Sequence, residues 1–300
     1  MSTTPGTPEA DFVIDEPLVR ALLEAQHPKL AKAALTLTGA GWDNITYRLG
    51  NDHAVRLPRR KVATTLIENE QRWLPELAAN LPLAVPTPIA TGRPQFGYPS
   101  AWSIVPWIEG ETADLSPLAA DQSLSLAEFL RALHEPAPSN APINLVRGVP
   151  LQHRAGALTE RLQRLHRRTD LITPGIDAAW HEALNAPLAR DSRWLHGDFH
   201  PRNVLVDAGR IVGVIDWGDI TSGDVATDLA GIWMLLPTAT ARASALSQYG
   251  ADAATVKRAI GWAVLFGAVL LDSGLVDNPR HAAIGKTTLE RVTEDFKISL

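Results

Sequence analysis

The sequence predicts an α+β fold in two lobes with a cleft between them. Three observations carry that prediction. Strand-like alternation and one long amphipathic helix fill the first hundred residues. Helical periodicity dominates after Glu109. One β-hairpin pattern, from His196 to Trp217, interrupts the helical half. The expected division is a flexible tail over 1–14, a smaller lobe over 15–107 and a helical lobe over 108–300.

The tail is rich in Ser, Thr, Pro and Gly. Asp15 followed by Pro17 opens a helix that runs to Gln26, before Pro28. LTLTGAGWDNITYRLG alternates, breaks at Gly39 and Gly41, and resumes, as a hairpin with a glycine-containing tip does. AVRLP is a further strand. From Thr64 to Leu81 the period becomes helical: Thr65 and Glu68 form a candidate capping box, and Leu66, Trp73, Leu74, Leu77 and Leu81 share a face. VPTPIATGRPQFGYP is a proline-punctuated connection, and AWSIVPWI is another strand. Helices are then expected over 121–134, 153–168, 177–187, 224–236 and 255–272.

The composition excludes several function classes. The 300 residues are 45% hydrophobic and 20% charged, with net charge −5, so no basic field attracts nucleic acid or an anionic membrane. The absence of cysteine removes disulfides, thiolate catalysis and cysteine zinc sites. MSTTPGTPEADF has neither a basic nor an apolar leader segment, and the apolar run Ala259–Leu271 is read as too short to span a bilayer. A cytoplasmic protein, monomeric or homodimeric, is expected.

The chemistry lies in HGDFHPRNVLVDAGRIVGVIDW. If Ala208 and Gly209 form the hairpin tip, Asn203 lies across from Val214, and Asp216 sits two positions further along. Asp198 lies five residues before Asn203, on the loop leading in. Three oxygen-bearing side chains therefore converge at one open end. Such hard donors suit Mg²⁺, which shares its shell with waters and phosphate oxygens. Phosphoryl transfer asks for little more than a metal on the phosphates, a positioned hydroxyl and charge stabilisation. On this reading Asn203 and Asp216 bind the metal, and Asp198 orients an acceptor hydroxyl and takes its proton. Taken singly, each of these residues also suits a turn or a cap. A metal hydrolase built on His196, Asp198 and His200 would need a second His and Asp cluster, and none occurs among the nine histidines.

H-G-D-x-H-x-x-N followed by I-D-W resembles the motif of the aminoglycoside phosphotransferase family, distant relatives of protein kinases. His196-Gly197-Asp198 with Asn203 is similar to the kinase catalytic loop, and Asp216 to the metal-binding aspartate of D-F-G. The resemblance covers roughly residues 36 to 275. It implies a protein-kinase-like fold, Mg²⁺, and ATP or GTP as phosphoryl donor. The partners it implies are that nucleoside triphosphate and a hydroxyl-bearing small molecule.

Several other residues meet demands of the same reading. Glu70 shares the apolar helix face and needs a cationic partner unless it sits at the solvated edge; Arg56 on the preceding strand is the natural candidate. The resemblance assigns Arg56 to the nucleotide phosphates and Glu70 to orienting it, with arginine where many relatives carry lysine. Macrolide phosphotransferases are similar in this respect. Gly41 and Asn44 match the family's short G-x-x-N loop over the triphosphate, and Ile104 to Trp107 is the strand edge expected to meet the base. His196 is expected to pack inward and bond backbone groups. Asp228 lies on the apolar stripe of Val225, Leu229, Ile232 and Leu236 and should accept backbone donors, or else favour a helix dipole. The resemblance gives it the role of anchoring the catalytic loop.

For the acceptor, His200, Asp219, Asp224, Trp233, Trp262 and Asp272 are the candidate pocket residues. An antibiotic-like acceptor of aminoglycoside or macrolide type is expected. The alternatives are a metabolite kinase acting on choline, homoserine or a sugar, and a non-catalytic nucleotide-binding protein of the same fold.

Overall fold

Alternation in the first hundred residues becomes a five-stranded antiparallel sheet in the computed structural model, which describes residues 6–298. Helix α1 (Glu16–Gln26) precedes strands β1 (Leu35–Ala40), β2 (Asn44–Leu49) and β3 (His53–Pro58). Helix α2 (Ala63–Ala78) follows, then β4 (Ala90–Gly92) and β5 (Trp102–Pro106), and the spatial strand order is β1-β2-β3-β5-β4. Asp15 caps α1 by accepting the Leu18 N–H at 3.0 Å. Val19, Leu22 and Leu23 of α1 are fully buried with Leu49, Val55, Leu57, Trp102 and Ile104 in a small core of their own.

Two expectations for this lobe are corrected. Asp11 to Ile14, expected within the flexible tail, are tied down: the Asp11 N–H donates to Arg59 O, Phe12 packs edge-on against Tyr98, and Ile14 is buried. The first five residues of that tail lie outside the described residues. The capping box at Thr65 and Glu68 does not form. Val62 already has helical dihedrals, so α2 starts at Ala63 and Thr65 falls inside it. The buried stripe of α2 is Ala63, Ile67, Glu70, Trp73 and Leu74. Its last two members join the core of the second lobe, where the Trp73 ring meets Trp194 at 5.0 Å. This helix thereby packs on both lobes.

The second half runs β6 (Glu111–Thr112), α3 (Ser123–Leu133), α4 (Ala155–His166), α5 (Pro174–Asn185), β7 (Arg193–Leu195), β8 (Val204–Asp207), β9 (Arg210–Val214) and β10 (Thr221–Gly223). It continues through α6 (Ala226–Leu229), α7 (Gly231–Leu235), α8 (Ala239–Tyr249), α9 (Ala253–Asp277) and α10 (Pro279–Ile298). The helix expected over 224–236 is two short helices, and α8 and α10 were not anticipated. Helix α9 is the core of this lobe and packs against α4, α5, α6 and α10. At 25 residues it is long and apolar enough to cross a bilayer, so reading the Ala259–Leu271 run as too short underestimates it. Its apolar window is 83% buried inside the fold, which accounts for an apolar surface all round.

The hairpin forms as β8 and β9, with Ala208 and Gly209 at its tip in left-handed conformations. A bulge between Leu205 and Val206 shifts the register by one. Val204, not Asn203, therefore pairs with Val214, while the Asn203 carbonyl accepts the Ile215 N–H at 2.8 Å.

Candidate active site

The loop between β7 and β8 carries His196 to Asn203, and its shape is set by buried polar partners. Asp228, fully buried on α6, accepts the N–H groups of His196 at 2.7 Å and Gly197 at 2.9 Å. These are the backbone donors that a carboxylate on an apolar stripe requires. His134 Nε2 lies 3.3 Å from the same carboxylate. His196 Nε2 faces Ile215 O at 3.0 Å, and its Nδ1 accepts the Asp198 N–H. Gly197 takes φ +85°, and a Cβ there would run into the Asp219 carbonyl.

Asp198 thus projects from a loop held at both ends. Arg147 Nη2 reaches its Oδ1 at 2.9 Å, and His200 Nε2 lies 3.2 Å from Oδ2. Burial opposes ionisation of Asp198, but His200 and Arg147 outweigh it and hold the carboxyl well below the usual carboxylate range. Asn203 Nδ2 donates to the Asp198 carbonyl at 2.9 Å, which leaves Oδ1, with its lone pairs, as the amide's acceptor or metal-ligating atom.

Asp216 follows β9 with φ 60° and ψ 67°, a left-handed conformation uncommon for a non-glycine residue. Its Oδ1 accepts Arg56 Nη2 at 2.6 Å, and Arg56 Nη1 meets both oxygens of Glu70 at 2.6 Å. Glu70 is completely buried, so the cationic partner it needs is Arg56. Burial works against the Arg56 charge, but Glu70 and Asp216 outweigh it and raise its pKa. A continuous chain of charge therefore crosses from α2 through β3 to the end of the β8–β9 hairpin.

The loop between β1 and β2 folds over this centre. Gly41 N–H donates to Asn44 O at 2.8 Å, and Gly41 O accepts Arg59 Nη1. The Asn44 side-chain oxygen is buried with no partner among the described residues. Trp42 packs edge-on against His281 of α10, 5.7 Å between rings. Asp43, paired with Arg60 at 2.9 Å, has its pKa pushed up to about 6. Burial is the main cause, and the negative charges of Asp219, Asp216 and Asp198 add to it against Arg60. Asp219 belongs to the same group: it accepts Asn144 Nδ2 at 2.7 Å, and burial together with Asp198 and Asp216 raises its pKa, against Arg147. The structure therefore gathers Asp43, Asp198, Asn203, Asp216, Asp219, Arg56 and His200 into one cleft.

Other expected site residues are not in it. Ile104 is fully buried, paired with Val55 on one side and Ala90 on the other, so its backbone is committed to the sheet. The Trp107 N–H donates to Asp52 O at 2.7 Å and is unavailable to a base. Asp224 is buried against Arg258 at 2.6 Å. Asp272 is buried against Arg161 at 3.1 Å and Arg164 at 2.7 Å. Trp233 is buried with its Nε1 donating to Asp295 at 2.9 Å, and Trp262 is buried in the core beside Phe266. For these last four, an acid already engaged by arginine, or an indole packed into the core, replaces an expected pocket wall.

Sequence reasoning missed Arg147, Asn144 and Asp43. All three lie in loops without periodicity, and only Asp43 stood beside a motif already in view. Among the described residues, no group of three or more His, Cys, Asp or Glu side chains is arranged to hold a metal alone. Asn203 Oδ1 and the half-exposed Asp216 carboxylate instead form an open pair of hard donors, which suits a Mg²⁺ ion that shares its shell with phosphates.

A family model described as a phosphotransferase enzyme family matches residues 34–264. An aminoglycoside 3'-phosphotransferase of Escherichia coli is 30% identical over 143 residues, 45% of this chain and 53% of that protein. The chain thus spans about half the length of the curated relatives it matches. Among solved structures, the GDP complex of an aminoglycoside 2'-phosphotransferase-IIIa superposes with a TM-score of 0.71 at 16% identity, covering 96% of this chain and 100% of that one. A macrolide 2'-phosphotransferase type I gives 0.56 at 22% identity, covering 93% and 98%. These structural likenesses establish a kinase-like α+β fold.

Proposed function

The chain belongs to the phosphotransferase enzyme family, and from that premise we propose that it transfers the γ-phosphoryl group of ATP or GTP to a hydroxyl of a small molecule. The observation that carries the reading is that the Glu70–Arg56–Asp216 chain of charge ends next to the loop of Asp198 and Asn203, to which it is tied through the Ile215 N–H donating to the Asn203 carbonyl. Asn203 Oδ1 and Asp216 would hold Mg²⁺, which when bound neutralises charge on the nucleotide phosphates. Arg56, held by Glu70, would meet a phosphate of the nucleotide. Gly41 and Asn44 lie on the loop that would cover the triphosphate.

In the transfer, the acceptor oxygen bonds to the γ-phosphorus while the bond from phosphorus to the β,γ-bridging oxygen breaks. The hydroxyl proton passes to Asp198 and then to solvent, leaving a nucleoside diphosphate and a phosphate monoester. A carboxylate held this acidic is a weak base toward a free alcohol. Asp198 therefore acts first by orienting the hydroxyl, and it takes the proton late, after bonding to phosphorus has acidified that group.

An antibiotic-type acceptor is supported by the names of the relatives, which are aminoglycoside and macrolide phosphotransferases. A metabolite acceptor is favoured by a different observation. Asp224, Asp272, Glu294 and Asp295 are all bonded to arginines of this chain, so they do not line a pocket for a polycation. Nucleotides and small metabolites meet in the cytoplasm, the setting this reading takes.

The test is nucleotide consumption by the purified protein with Mg²⁺, ATP or GTP, and panels of aminoglycosides, macrolides and metabolites, with the phosphorylated product identified by mass. Asp198→Asn should lower turnover by roughly 10²–10⁴-fold. Transfer undiminished in that variant would refute the mechanism.

A further inference from the structure

Beyond α2 and the Arg56–Asp216 bond, the lobes also meet at the corner between α9 and α10, where two segments of the smaller lobe touch the helical one. Trp42, between Gly41 and Asn44 in the β1–β2 loop, packs edge-on against His281 with 5.7 Å between rings. His281 Nε2 in turn lies 2.6 Å from Nη1 of Arg202, the residue just before Asn203. The other segment is the chain ahead of α1. The Thr7 N–H donates to Asp277 Oδ2 at 2.7 Å, and a Cβ on Gly6 would touch Val276 and Asp277 at 3.5 Å.

Four residues later the same segment grips the smaller lobe. The Asp11 N–H donates to Arg59 O and Asp11 Oδ2 accepts the Lys61 N–H, both at 2.8 Å. Arg59 carries the grip to the neighbours of Trp42: its N–H donates to Asp43 O at 2.8 Å and its Nη1 to Gly41 O at 2.9 Å. Residues 7–12 therefore form a strap from the end of α9 to the base of the β1–β2 loop, and Trp42 ties that loop to α10.

Neither tie is strong. The link to Asp277 is one exposed hydrogen bond, and an edge-on ring contact contributes little more. Arg202 can only donate, so His281 Nε2 accepts and the neutral ring carries its proton on Nδ1. His281 Nδ1 and Trp42 Nε1 are thus two buried donors with no partner among the described residues. Unmatched buried donors oppose the contact, and parting of the loop from α10 releases both to water. The join is built to part.

We propose that the strap and Trp42 form a clasp on the cleft, which parts each time a nucleotide enters or leaves and so sets the rate of exchange. The clasp connects the β1–β2 loop with the neighbour of Asn203, elements that the kinase reading places about the triphosphate and its metal, and the inference rests on that reading. A tie made equally before and after binding slows entry and release by one factor and leaves affinity unchanged. A residue that touches the nucleotide changes affinity instead.

The experiment measures association and dissociation of Mg-ADP carrying an N-methylanthraniloyl fluorophore, by stopped flow on the full chain. Asp277→Ala, which removes the acceptor for the strap, should raise both rates about threefold. Trp42→Ala should raise both about two- to tenfold. Thr7→Cys with Asp277→Cys, in a chain that has no other cysteine, lets a short bismaleimide lock the strap. The locked protein should exchange nucleotide more slowly than the same variant unlocked. Unchanged rates in both single variants, or equal rates in the locked and unlocked proteins, would overturn the proposal, and so would a change confined to dissociation. Hydrogen exchange decides the matter without nucleotide: amides of residues 39–44 should exchange faster in Asp277→Ala than in the wild type, and no difference would again overturn the clasp. Failure of the wild-type protein to bind Mg-ADP would count against the kinase reading, with hydrogen exchange deciding the clasp.

Discussion

Asp198 and Asp43 are two carboxylates in one cleft whose environments push them in opposite directions. His200 and Arg147 hold Asp198 ionised against the penalty of burial, whereas burial and three neighbouring acids keep Asp43 protonated further up the pH scale. Replacing Arg147 by methionine should therefore move the acid limb of kcat/KM to higher pH, read from a pH–rate profile. An unmoved limb would show that Arg147 does not tune the carboxylate. Asp43 has its folded pKa, about 6, above the ordinary value of 3.8. The stabilisation from its neutral form is complete below 3.8 and is lost as pH rises through 6. Asp43→Asn should consequently stabilise the protein at pH 8, and the gain should vanish below pH 4. The shift of two pKa units sets an upper bound near 3 kcal/mol; partial exposure and screening reduce it to about 1 kcal/mol. Urea melts at the two pH values check it.

At the scale of elements, β3 and α2 are joined by the buried Arg56–Glu70 pair rather than by apolar contact alone. Arg56→Ala leaves a fully buried carboxylate without its partner and should cost about 3–5 kcal/mol. A double change, Arg56→Met with Glu70→Leu, should restore most of that stability, because the volume is kept and no charge remains buried. Phosphoryl transfer should remain lost in the double variant, which separates the pair's structural role from its role toward phosphate. Recovery of both would remove Arg56 from the site. The hairpin shows how far an element could be read in advance. Its tip at Ala208-Gly209 was legible from turn residues, yet the bulge at Leu205/Val206 was not, because an extra residue leaves no mark on an apolar run.

For the whole molecule, both lobes would contribute to the proposed nucleotide site, so ligand binding should stabilise the two together. Mg-ADP at 100 times its dissociation constant should add ~2.7 kcal/mol of apparent stability. Asp216→Asn should abolish most of the gain, and so should chelation of Mg²⁺. A shift independent of both would place the nucleotide elsewhere. Trp42 against His281 is a direct contact between the β1–β2 loop and α10. Burial, helped by Arg202 and His200, lowers the His281 pKa to about 4, so its neutral ring accepts from Arg202 at neutral pH.

By itself the sequence determined the fold class, the phosphotransferase family and most of the element order, because each is written in local signals. Periodicity separates strands from helices, turn residues mark the hairpin, and His196, Asp198, Asn203 and Asp216 lie within 21 consecutive residues. The Arg56–Glu70 pair was also legible, since a charged residue on an apolar helix face calls for a partner. Tertiary structure alone decided which acids stay available. Asp224 and Asp272 look alike in sequence to Asp219, but arginines distant in the chain engage the first two and leave the third in the cleft. It alone brought Arg147 to Asp198, because long-range charge pairing depends on which faces of the helical lobe meet, and no local pattern encodes that meeting.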